Sequence, residues 1–83
     1  MTDLARTSRQ IGAIIQRARK TRGWTQTVLA ERAGLRQATI SMIESGEKPA
    51  KLDSILAVLA ALDLDFRIGQ RSKGDGSDIE ALF

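Results

Sequence analysis

The chain has 83 residues and a net charge of +3, which allows one compact domain and leaves no room for two. It holds neither cysteine nor histidine, which excludes disulfides and thiolate metal sites and removes both the usual proton shuttle and the commonest metal ligand. The charge is polarised: residues 4–36 carry eight basic side chains against Glu31 alone, whereas residues 37–83 carry five basic and eight acidic ones.

Such a layout suits one face set against a polyanion and another left for a second partner, although a solvated basic helix face would read the same way. Residues 1–8 mix charges and hydroxyls without an apolar run, so they read as an N-terminal lead and not as a signal peptide. The longest apolar stretch, residues 55–62, is far shorter than the roughly 20 residues that span a bilayer. A cytoplasmic protein with no membrane partner is expected.

Ile11, Ile14, Ile15 and Ala18 recur at helical spacing, and with Ser8 as N-cap and Gly23 as the stop they predict a first helix over residues 9–22. Thr25 caps the second helix, and Trp24 is placed to staple onto Leu29. That helix turns Leu29, Ala30 and Ala33 inward and ends at Gly34. A third helix over residues 37–45 buries Ile40 and Ile43, stops at Gly46, and cannot continue through Pro49. Two helices of this length joined by so short a break must cross.

Leu52, Ile55, Leu56, Leu59 and Leu62 predict a fourth helix with a strong apolar face. The period then changes to two, because Leu64, Phe66 and Ile68 alternate with Asp65, Arg67 and Gly69, as in a short strand. A lone strand leaves open edges, and the simplest partner is the same strand of a second subunit, the alternative being an irregular apolar tail on the fourth helix. Residues 9–70 thus form the expected domain. Residues 71–83 read as a flexible tail, rich in glycine, serine and charge, that ends in a small apolar cluster from Ile79 to Phe83.

The third helix carries the chemistry. With Leu35, Ile40 and Ile43 turned inward, its other face presents Gln37, Ala38, Ser41, Met42 and Ser45, side chains that are short or end in an amide. Such a face fits a major groove, where amides and hydroxyls meet base edges and long charged chains would hold the helix away. Gln37 can bridge adenine N6 and N7, Ala38 can touch a thymine methyl, and Ser41 can bond to either kind of edge. Arg36 can reach guanine or a phosphate. Gln26 and Thr27, at the start of the second helix, are placed to meet a phosphate, and Thr39 and Lys48 join them as expected phosphate contacts.

The run from Trp24 to Ser41, continued by Ile43-Glu44-Ser45-Gly46, strongly resembles the Cro/C1-type (XRE) helix-turn-helix family. The pattern Thr25-Gln26, Leu29-Ala30, Ala33-Gly34, Ile40-Ser41 and Ile43-Glu44-x-Gly46 is specific, and the resemblance covers about residues 11–64. It implies an all-α bundle of four to five helices, like lambda repressor, that binds palindromic double-stranded operators as a homodimer. It implies too that Gln26 grips phosphate, that Gln37, Ala38 and Ser41 read bases, and that Arg19 pairs with Glu44 as a structural ion pair.

Within that family, Gly23-Trp24-Thr25-Gln26, the run from Gln37 to Ser41 and a fourth helix ending Leu62-Asp63-Leu64 before an immediate strand are similar to HipB antitoxins. That branch implies a strand paired across the dimer, repression of its own operon, and a HipA-like serine/threonine kinase toxin held inactive. A stand-alone phage-type or restriction-modification controller regulator remains open, as does an interaction module with the helix-turn-helix as scaffold. An enzyme is disfavoured, because the carboxylates are scattered and no histidine, cysteine or tyrosine assists them. No cofactor, metal or small-molecule substrate is expected; Asp75, Asp78 and Glu80 lack the ligand density of a calcium loop.

Overall fold

Thr7 opens the first helix. Its hydroxyl accepts from the Gln10 N–H at 3.1 Å, and the Gln10 side chain accepts in return from the Thr7 N–H at 3.0 Å, a reciprocal box that starts α1 at Ser8–Thr21. The expected cap at Ser8 is therefore displaced by one residue, since three residues beyond Ser8 stands Ile11, whose side chain has no polar atom to answer with. The computed structural model describes residues 3–71. Three more helices follow in it: α2 (Gln26–Ala33), α3 (Gln37–Ser45) and α4 (Leu52–Ala61).

The Thr25 hydroxyl caps α2 by accepting from the Val28 N–H at 3.1 Å. α1 and α2 both pack on α3, and α4 packs on α2. The core between them consists of Ile15, Leu29, Ala30, Ile40, Ile43, Val58 and Leu62, with Ile11, Ala18, Trp24, Leu35 and Leu59 packed against it. Along α1 the buried line is Gly12, Ile15 and Arg19, so a glycine and an arginine share the face that the isoleucines suggested.

α4 is rotated from the expected face. Val58 is its one fully buried residue and Leu62 follows at 1% exposure, whereas Leu52 and Leu56 stand 57% and 40% exposed. Two apolar stripes compete on this helix, 52/55/56/59 and 55/58/59/62, and both satisfy helical periodicity. Packing on α2 selects the second.

α4 ends as Asp63 takes a left-handed φ of 58° and the Leu64 N–H reaches back to the Leu59 carbonyl at 2.8 Å. Residues 64–71 then run without regular secondary structure, and among the described residues there is no strand. The expected pairing of Leu64, Phe66 and Ile68 needs a second ladder that one chain does not supply; here these side chains are 36%, 48% and 88% exposed. The described residues hold four helices, where four to five are expected of the chain. Apart from Arg71, the expected tail over residues 71–83 lies outside the described residues. No described helix is long and apolar enough to cross a membrane.

Candidate nucleic-acid interface

Only Gly34, Leu35 and Arg36 separate α2 from α3. Gly34 takes a φ of 72°, a conformation open to glycine at little cost, and its N–H and that of Leu35 close on the carbonyls of Glu31 and Ala30 at 3.3 and 2.9 Å. The chain leaves this turn through Leu35, which packs on the core, and α3 then crosses α2 with Ile40 and Ile43 buried.

Burying that face fixes the other. Arg36, Gln37, Ala38, Ser41 and Ser45 are exposed and Met42 is half-buried. Arg36 occupies the N-cap of α3 without making a side-chain cap bond, so its guanidinium is not engaged by the helix it starts. Gln26 and Thr27 form the first turn of α2, where backbone N–H groups precede the first intrahelical acceptor and point out of the helix end. Thr27 is exposed and Gln26 half-buried. Lys48 is exposed in the turn between α3 and α4. Thr39 is half-buried at the flank of α3 and is the least open of the residues singled out for phosphate.

Behind this surface Arg19 and Glu44 are 8% and 9% exposed. Arg19 Nε donates to Glu44 Oε2 at 2.7 Å and Nη2 to Oε1 at 3.0 Å, a two-pronged pair, while Nη1 donates to the Trp24 carbonyl at 2.8 Å. The hydrogen bond to Glu44 holds the Arg19 pKa above even its ordinary high value. Since Trp24 immediately precedes the α2 cap, one guanidinium ties α1, the start of α2 and the end of α3 together. The Trp24 ring is also flanked by Arg32 at 4.5 Å and Arg22 at 5.2 Å, and Arg22 donates to the Leu62 carbonyl at 2.7 Å.

Two hydrogen bonds had no counterpart in the sequence reading. Gln26 Nε2 donates to Glu44 Oε1 at 3.2 Å, and Gln37 Nε2 donates to Gln26 Oε1 at 2.6 Å. The spacing of Gln37 and Glu44, two helical turns apart on one side of α3, is the one local sign that they share an edge. That Gln26 bridges them depends on the helix crossing.

A family model for the helix-turn-helix matches residues 15–68. This chain belongs to the helix-turn-helix family. Its curated relatives include Antitoxin HipB of Escherichia coli O6:H1, 32% identical over 59 residues that make up 71% of this chain and 63% of the relative. Antitoxin HipB of Escherichia coli K12 is 32% identical over 71% of this chain and 67% of its own length. This chain thus spans a little under two thirds of the first of these helix-turn-helix relatives. Among solved structures, it superposes on one of a HipA-HipB-O2-O3 complex with a TM-score of 0.76 and 28% identity, over 83% of this chain and 97% of that one. The restriction-modification controller protein C.AhdI from Aeromonas hydrophila matches with a TM-score of 0.66 and 28% identity, over 70% of this chain and 88% of that one.

Proposed function

We propose that this protein is a sequence-specific DNA-binding repressor that acts as a homodimer on a palindromic operator, shuts off its own operon, and holds a HipA-like serine/threonine kinase inactive. One observation carries the DNA reading: the exposed face of α3, formed by Gln37, Ala38 and Ser41, stands beside the α2 N-terminus on a crossing locked by the Arg19–Glu44 pair. That pairing sets a helix with short polar side chains next to a phosphate-binding helix end, as major-groove docking requires. Arg36, Gln37, Ala38 and Ser41 read bases, and Gln26, Thr27, Thr39 and Lys48 hold phosphates.

Likeness to two HipB antitoxins and to a HipA-HipB complex supports the antitoxin role. Exposed Leu64, Phe66 and Ile68 support a dimer in which this segment pairs with its twin as a strand, completing a unit over residues 9–70. Repression then follows from steric occlusion of the promoter in the cytoplasm. Footprinting on DNA upstream of the protein's own gene tests the repressor. Protection of a palindrome is expected, and no protection at micromolar protein in modest salt overturns the proposal. Co-purification of a kinase from native extract tests the antitoxin role.

The likeness to C.AhdI favours a second reading, a controller of restriction and modification genes. A methyltransferase gene beside this one supports that reading, and a kinase gene supports the first.

A further inference from the structure

The Arg19–Glu44 pair does not end at the core. Glu44 Oε1 also accepts from Gln26 Nε2, and Gln26 Oε1 accepts from Gln37 Nε2, so a continuous line of hydrogen bonds runs from a buried carboxylate to an exposed carboxamide on the reading face. Each step has a forced polarity. A carboxylate offers only acceptors, so Gln26 must turn its NH2 group inward and its carbonyl oxygen outward. Facing that oxygen, Gln37 must give one of its own N–H groups, which leaves its Oε1 and its second N–H for the groove.

We infer that Glu44 is a specificity-determining positioning residue: without touching DNA, it sets through Gln26 which way round Gln37 presents its carboxamide to a base. This rests on the reading above that Gln37 faces a base edge. An outward oxygen needs a donor, and adenine N6 or cytosine N4 supplies one in the major groove. Guanine shows two acceptors there, O6 and N7, and would set O6 against Gln37 Oε1. Were the relay undone, the carboxamide could flip and offer both N–H groups to guanine. The relay therefore works chiefly by rejecting guanine, a case of selectivity built on a repulsive contact.

The test is selection of bound sequences from a random-sequence duplex library by the full chain and its variants. Gln37→Ala first marks the base pair that Gln37 reads, as the position where preference is lost. At that position the unmodified protein should favour adenine or cytosine over guanine, and Glu44→Gln, which can donate as well as accept, should reduce this preference by about tenfold while other positions keep theirs. Undiminished rejection of guanine in Glu44→Gln overturns the inference. Because Glu44→Gln also weakens the partner of Arg19 and can impair folding, Gln26→Met serves as a second variant that leaves the ion pair intact. It should weaken binding to all sequences through its lost phosphate contact and, in addition, lose guanine rejection at the Gln37 position alone; retention there overturns the inference.

A readout without DNA separates this relay from base reading itself. In the free protein the Gln37 side-chain amide should show a high 15N heteronuclear NOE beside the exposed Gln16, and Gln26→Met should bring it down to the Gln16 level. Equal mobility of the two amides in the unmodified protein overturns the relay. If Gln37→Ala alters no position while its amide is ordered, base reading by Gln37 has failed and the specificity role falls with it.

Discussion

Gly12 of α1 lies so close to the end of α3 that a Cβ placed on it would fall 2.4 Å from the Glu44 carbonyl oxygen and 2.5 Å from that of Ile43. A matching approach occurs from the other side, where a Cβ on Gly46 would meet the Arg9 Cα at 2.6 Å. Two glycines, one on α1 and one at the end of α3, thus let α1 seat directly on the backbone of α3. Gly12→Ala should lower stability by about 2 kcal/mol, because overpacking against backbone outweighs the roughly 1 kcal/mol that alanine gains in helix propensity. Urea unfolding checks this, and a stabilised variant would show that α1 is not seated in this way.

Removing one partner of the Arg19–Glu44 pair leaves the other charge buried. Arg19→Ala should cost about 3 to 5 kcal/mol, a large share of the roughly 5 to 15 kcal/mol of a small domain, and far-UV circular dichroism should find it largely unfolded on mild warming. Arg19→Met combined with Glu44→Leu should regain most of that loss, since both charges go together. Arg19 itself should add no pH dependence near neutrality. A base whose folded pKa is raised contributes stability that is complete below its unfolded pKa and is lost only as pH climbs through the folded value, and for Arg19 both lie far into the alkaline range.

The segment from Thr25 to Gly46 was legible because its punctuation is local. A threonine cap and two glycines with positive φ bound α2 and α3, and the α3 limits coincide with those read from the sequence. What stayed hidden depends on partners far along the chain. Gly12 looks like a weak point in a helix until the α3 backbone arrives against it, and Val58 is one of many apolar residues in α4 until α2 selects its face. Gln26 joins Glu44 to Gln37 only once the helices cross. The period-two pattern at Leu64, Phe66 and Ile68 does not become a strand within one chain, because a strand is a property of a pair.

Choice of face on α4 can be measured directly. Val58 is 0% exposed and Leu56 40% exposed, so Val58→Ala should destabilise by about 2 kcal/mol, whereas Leu56→Ala, although it removes more atoms, should cost under about 1 kcal/mol in dilute protein. Thermal unfolding of the two variants decides it, and the reverse order would return α4 to the stripe that buries Leu52 and Leu56.

Exposure of Phe66 and Ile68 carries a prediction about assembly. If residues 64–68 pair across a dimer, Phe66→Ser should raise the dimer dissociation constant by tenfold or more, a loss of about 1.5 to 3 kcal/mol of burial. The melting temperature of the unmodified protein should rise with its concentration, and that of the variant should rise less at the same concentrations. Sedimentation velocity checks the mass, and an unchanged dimer would place the interface elsewhere.

Contacts with phosphate and with bases separate by their response to salt. Lys48 is exposed in the turn after α3, and Lys48→Ala should weaken binding to every sequence alike and make the slope of log affinity against log salt shallower by about 1, because one fewer counterion is released. Gln37 carries no charge, so Gln37→Ala should leave that slope unchanged and instead remove about 1 to 3 kcal/mol of discrimination at a single base pair. Fluorescence anisotropy on a labelled operator over a range of salt concentrations reads both quantities. A salt slope altered by Gln37→Ala, or a loss confined to one base pair in Lys48→Ala, would exchange the roles assigned to the α3 face and to the turn behind it.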